Sequence, residues 1–115
     1  IFCDLDGVLA DFEAGVRRIC GCQPRQLSPG ILWGKVARAT RFWEMLPALA
    51  EGRQLWAALA AFDRRASAVL PRSCNGHQRR SHLAILTGLP TTASREAAHQ
   101  KRRWCARHLG PDVKV

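Results

Sequence analysis

Ile1-Phe2-Cys3-Asp4-Leu5-Asp6-Gly7-Val8-Leu9 opens the chain, and its reading decides the fold. Ile1 to Leu5 reads as a buried strand that ends in acid. Asp6-Gly7 is a turn signal. Side chains alternate along a strand, so Asp4 and Asp6 share one side while Leu5 enters the core. Beyond the turn, Phe12, Val16 and Ile19 fall at helical spacing between Ala10 and Cys20, and Gly21 ends that helix. A strand, a tight turn and a helix in succession is how an α/β unit begins.

The rest of the chain continues the alternation. Cys22 to Pro29 holds two prolines and reads as a loop. Ile31 to Pro47 is rich in aromatics and is expected to form short helices. Leu55, Trp56, Leu59 and Phe62 give Glu51 to Phe62 the pattern of an amphipathic helix. Pro71 to His82 is polar, basic and aperiodic. It reads as a surface loop or disordered insertion, removable without loss of folding. Leu83 to Thr87 is a short apolar run stopped by Gly88 and Pro90, the pattern of a buried strand. Ser94 is expected to cap a helix that runs to about Leu109, with Glu96 in its first turn. Gly110-Pro111 stops it, and Val113 to Val115 begins a third strand. Strands separated by helices predict a parallel α/β sheet. The expected organisation is one domain over residues 1–115, with a small helical cap inserted at about 22–50 and a loop insertion at 71–82. Ligands of such sheets bind beyond the carboxyl ends of the strands. Asp4, Asp6 and Thr87 sit at those ends.

Charge points to the kind of ligand. Eighteen basic residues against nine acidic give +9, which favours an anionic partner. The basic residues are scattered, without interleaved aromatics, so direct RNA or DNA binding is the weaker inference. Five cysteines form no CxxC pair and have no zinc-like histidine spacing, so they read as reduced thiols of a cytoplasmic or organellar interior. No apolar run approaches the ~18 residues of a membrane span. The chain starts inside a strand and stops on an apolar alternation. Both ends read as cut from a longer protein.

Two adjacent carboxylates repel, and a bound cation lifts that cost. Their oxygens suit Mg²⁺. Gly7 clears a side chain where backbone N–H groups would approach phosphate. Asp-x-Asp-Gly also occurs in calcium loops and plain turns; the apolar strand before it and Val8-Leu9 after it favour a catalytic role. Thr87 offers a hydroxyl to a phosphate oxygen, or simply caps the turn before Gly88. Lys101 is an ordinary solvated charge unless its helix sets it over the same site, where it would neutralise phosphate and Asp4 together.

Phe2 to Phe12 resembles the first motif of the haloacid dehalogenase superfamily. Ile85-Leu86-Thr87-Gly88 resembles the second. Lys101-Arg102-Arg103-Trp104 with His108-Leu109-Gly110-Pro111-Asp112 resembles the third. Asp6-Gly7-Val8-Leu9-Ala10-Asp11-Phe12 and the Lys-x-x-Trp helix are closest to the 5′(3′)-deoxyribonucleotidase branch. The resemblance implies a Rossmann-like parallel sheet with a helical cap, and a Mg²⁺-dependent phosphomonoester hydrolase acting through an aspartyl phosphate. It makes Asp4 the nucleophile and Asp6 the acid and base, with both at the metal. Gly7, Thr87, Gly88 and Lys101 would hold the phosphate of a small substrate, a nucleotide first of all. Phe42 and Trp43, with Trp33, fall where that branch turns cap aromatics toward the substrate; they would equally serve as the cap's own core. Arg41 and Glu44 beside them read as solvated. The family's fourth motif, an acidic pair after a third strand, would follow Val115, and Asp112 does not replace it. Pro71 to His82 is longer than the family pattern expects. The alternative is a non-catalytic domain of the same fold that binds phosphorylated ligands or nucleic acid through its basic surface. A phosphotransferase or phosphonatase shares the first motif.

Overall fold

A computed structural model of the chain describes residues 1–69 and 82–115. Strand β1 spans Phe2–Asp4, followed by helix α1 at Phe12–Cys20, a short 3₁₀ turn at Pro24–Gln26 and helix α2 at Pro29–Arg38. Helix α3 covers Ala50–Val69, strand β2 Ala84–Leu86 and helix α4 Ser94–His108. The architecture is mixed α/β, with four helices and a small parallel sheet. The expected loop insertion lies, apart from His82, outside the described residues.

β1 and β2 run parallel, with Phe2 opposite Ala84, Cys3 opposite Ile85 and Asp4 opposite Leu86. β2 is paired on both sides. Ala84 N–H donates to Ile1 O at 2.9 Å, and Ile85 N–H donates to Lys114 O at 2.8 Å. Ala84 and Lys114 form a parallel bridge, so the segment after α4 returns alongside β2. The alternation of a pleated strand then sorts the side chains. Cys3, Leu5 and Ile85 are buried, while Phe2 and Leu86 are exposed on the other face. Leu9, Val16, Phe42, Trp43, Leu46 and Trp104 belong to the same core.

Local chemistry explains both ends of α1. Asp11 Oδ1 accepts from Ala14 N–H at 2.8 Å and caps α1. Gly21 ends it at φ 72°, the left-handed position that glycine tolerates without a Cβ clash. Ser94 does not cap α4. Ala93 occupies the cap at φ 56° and makes no side-chain bond, which places Ser94 one residue inside the helix. α3 begins near Glu51 as the spacing predicts but continues to Val69. Its apolar stripe is only half used: Trp56 and Leu59 pack on the core, whereas Leu55 and Phe62 are exposed. The predicted loop from Cys22 to Pro29 holds the 3₁₀ turn and the first residue of α2.

The segment before α3 comes back to the turn after β1. Asp11 N–H donates to Pro47 O at 2.8 Å, and Leu49 N–H to Leu9 O at 2.9 Å. α3 then starts against the same turn. A Cβ on Gly52 would collide with Val8 O and lie 2.8 Å from Leu9 Cα, both backbone atoms that cannot swing away. Gly52→Ala is therefore expected to destabilise the fold by about 1–3 kcal/mol, the usual cost of overpacking. A urea midpoint equal to that of the parent would show that α3 is not seated on this turn.

Candidate functional site

Helix α4 presents Ala97, Gln100, Lys101, Trp104 and Cys105 inward, a single face at helical spacing. Lys101 is the exceptional member. Its side chain is 1% exposed, an unusual place for an ammonium without partners. Here it has all it can use. Nζ lies 2.5 Å from Asp6 Oδ2, 2.9 Å from Thr87 Oγ1 and 2.7 Å from Gly88 O. Three donors meet three oxygens. The ammonium also sits 4.0 Å from the centroid of the Trp43 ring, a cation–π contact. Thr87 Oγ1 in turn donates to Asp6 Oδ2 at 3.0 Å.

Asp6, Thr87, Gly88 and Lys101 thus form one hydrogen-bonded group, assembled from the turn after β1, the end of β2 and the middle of α4. Asp6 Oδ1 is buried and has no partner among the described residues. Asp4 stands outside the group. Its side chain is exposed at the end of β1, and Oδ1 accepts from Leu5 N–H at 2.7 Å. Gly7 is expected to clear a side chain where backbone N–H groups would approach phosphate, and the space a Cβ would take there is open. At φ 77° the turn folds back, and Gly7 N–H donates to Ala10 O at 2.8 Å. Gly7 shapes the turn, and its own N–H is used within it.

Phe42 and Trp43 are 1% and 6% exposed, so both rings are part of the core. They also line a cleft of about 310 Å³ with Trp33, Leu89, Thr91 and Gln100. Trp43 stacks on Phe12 at 5.8 Å and 24°. Neither Asp4 nor Asp6 lines the cleft. The connection is Trp43, whose ring borders the cleft and touches Lys101.

Glu44 was expected in solvent and is instead buried at 3% exposure. The reason is tertiary. Arg41 reaches it at 2.6 Å, Arg103 at 2.9 Å and Arg107 at 3.0 Å, the last two from α4. The hydrogen bond from Arg41 first, and the Arg103 guanidinium next, hold the Glu44 carboxyl at about 2 against the opposing pull of burial. A depressed carboxylate pKa adds stability above the unfolded value and loses it as pH falls through the folded value. Glu44→Gln should therefore flatten acid unfolding between about 4.5 and about 2. Parallel melting curves of parent and variant through that window are the check, and identical slopes would contradict it. Sequence spacing offered one hint: Arg103 and Arg107 are one helical turn apart. Nothing local named their partner. Cys105, next to the group, is shielded; burial first and Asp6 second push its thiol up to about 11.

Among the described residues, no three His, Cys, Asp or Glu side chains gather where a metal would sit. Asp4 and Asp6, the pair at the end of β1, are the oxygen donors present. Among the described residues, no helix is long and apolar enough to cross a membrane. No family model and no curated protein matches the chain.

Proposed function

We propose that the chain carries the phosphate site of a Mg²⁺-dependent phosphomonoester hydrolase of the haloacid dehalogenase type, closest to a 5′-nucleotidase. The supporting observation is the Lys101 group. Residues 81 and 95 positions beyond Asp6 return to the same carboxylate oxygen, at the carboxyl ends of two parallel strands. That is where ligands of such sheets bind, and an ammonium with a hydroxyl beside it is a phosphate receptor.

In this reading Asp4, exposed at the end of β1 two residues before Asp6, attacks phosphorus. The new bond is between an Asp4 carboxylate oxygen and phosphorus; the bond that breaks joins phosphorus to the departing alcohol, and Asp6, released from Lys101 as phosphate takes the ammonium and protonated from solvent, gives that oxygen its proton. Water then attacks phosphorus, Asp6 takes its proton, and the Asp4–phosphorus bond breaks. A carboxylate nucleophile divides one hard step into two. Lys101 and Thr87 hold the transferring oxygens, and a dianionic phosphate competes with Asp6 for the ammonium. Mg²⁺ fits the residues present in part. Asp4 would supply an exposed carboxylate and Asp6, as the resemblance implies, its main-chain carbonyl, two ligands of a shell that this ion commonly completes with water and substrate. When bound it would screen the charge that Asp4 meets on phosphate.

Asp6→Asn is expected to slow turnover by roughly 10²–10⁴-fold, the range for loss of a general acid and base. The assay is p-nitrophenyl phosphate and deoxynucleotide hydrolysis with Mg²⁺. A better leaving group should suffer less from the substitution, since it needs less protonation. Equal loss for both substrates would argue against Asp6 as acid. The close Lys101–Asp6 ion pair favours a second reading, a domain that binds phosphorylated ligands without turning them over. Saturable phosphate binding without Mg²⁺-dependent hydrolysis would select it.

A further inference from the structure

We infer that Glu44 is a positioning residue, one that sets Trp43 and through it the Lys101 ammonium; this rests on the phosphate-site reading above. The turn between α2 and α3 carries Phe42, Trp43 and Glu44 in succession, and it starts from a strained residue. Arg41 has φ 54°, a left-handed conformation in which a side chain with a Cβ is unfavourable. Such strain persists only where surrounding contacts over-determine the conformation. The contacts are visible. Arg41 bonds Glu44 through both Nε, at 3.3 Å, and Nη2, at 2.6 Å, closing the turn on itself. Arg103 and Arg107 then fasten the same carboxylate to α4. On either side of Glu44 the backbone is fixed to that helix too. Trp43 N–H donates to Gln100 Oε1 at 3.0 Å, and Trp104 Nε1 donates to Leu46 O at 2.8 Å.

The result is a short closed frame. Glu44 binds α4 at Arg103 and Arg107, while Trp43, one residue earlier, meets Lys101 on the same helix. Gln100 joins the frame as well: its Nε2 donates to Glu96 Oε1 at 3.0 Å, and that oxygen also accepts from Arg103 Nη2 at 3.4 Å. Removing the Glu44 charge leaves the guanidinium groups of Arg41, Arg103 and Arg107 facing one another without their common counter-ion. The turn then loses what holds Arg41 at positive φ, and Trp43 is free to leave the Lys101 ammonium. Glu44 itself touches none of the oxygens around Nζ, so its effect passes through the indole ring.

Lysine side chains provide a readout that stability alone does not move. The chain has three lysines, Lys35, Lys101 and Lys114. In the parent, the ε-methylene protons of Lys101 should resonate upfield of the other two, shifted by the Trp43 ring. Glu44→Gln, and Arg103→Ala combined with Arg107→Ala, are the variants, each measured by NMR while circular dichroism confirms that it is folded. The expected result is loss of the upfield shift. Hydrolysis of p-nitrophenyl phosphate should fall with it, chiefly through a raised KM and by up to ~10²-fold in kcat/KM if the ammonium moves by about 1 Å. Should Glu44→Gln fail to fold, Arg103→Ala combined with Arg107→Ala decides, because together they unfasten Glu44 from α4 and both side chains are half exposed. Upfield lysine signals that survive in a folded variant would overturn the proposal. Loss of the shift in variants of a parent that neither binds nor hydrolyses phosphate would leave Glu44 as the positioning residue and sink the phosphatase reading instead.

Discussion

Lys101→Met should weaken the fold and remove phosphate binding together. Methionine keeps the apolar stem and roughly the length, so packing against Trp43 and Cys105 changes little. The charge does change. Among the described residues, Asp6 would keep a carboxylate whose Oδ1 already has no partner and whose Oδ2 would keep only the Thr87 hydroxyl. Breaking a buried ion pair from one side is costly because the other charge stays behind. Asp6 is 25% exposed and can recruit water, so the expected loss is about 3 kcal/mol, the low end for a buried pair. Gly88 O loses a donor at the same time. In turnover, losing one preorganised cation at the transferring phosphoryl group should cost about 10²–10³-fold. The exposed neighbour gives the control: Arg102→Met should be within about 0.5 kcal/mol of the parent. Equal melting of Lys101→Met and Arg102→Met would mean that the Lys101 contacts carry little of the stability.

Asp4→Asn is expected to have the largest effect on chemistry and almost none on folding. The side chain is exposed, and its hydrogen bond from Leu5 N–H can be kept by the asparagine oxygen. An amide is a far poorer nucleophile than a carboxylate, so the covalent step should stop. Turnover with Mg²⁺ should drop to background while the urea midpoint holds. The contrast with Lys101→Met is the informative part. One variant loses chemistry and keeps stability; the other loses both. If Asp4→Asn hydrolysed p-nitrophenyl phosphate at more than a few per cent of the parent rate, another group would have to be the nucleophile.

The readable parts of the sequence were those set by neighbours in the chain. β1 and β2 are apolar runs bounded by turn residues, and both strands form, parallel. Gly21 ends α1 because the chain there needs a left-handed residue. The misses lie where distant residues decide. Glu44 looks solvated beside Arg41, and only residues 59 and 63 positions away bury it. Leu55 and Phe62 have the right period for a buried face, but the apolar side chains by which α3 packs on the core are Trp56 and Leu59. Ala93 takes the cap of α4 in a conformation that sequence would assign to glycine or asparagine. Lys101 shows the limit most clearly. On an otherwise basic helix, nothing local distinguishes it from Arg102 or Arg103; burial under Trp43 does.

The central claim is that Asp4 takes up phosphorus while Thr87 and Lys101 hold its oxygens. The direct measurement is to expose the protein to an activated phosphoryl donor with Mg²⁺, quench, reduce with borohydride and map the product by mass spectrometry. Borohydride converts an aspartyl phosphate to homoserine and leaves free aspartate unchanged. Homoserine at position 4, absent from Asp4→Asn and diminished in Lys101→Met, is the predicted result. Homoserine at position 6, or labelling that persists in Asp4→Asn, would contradict the account.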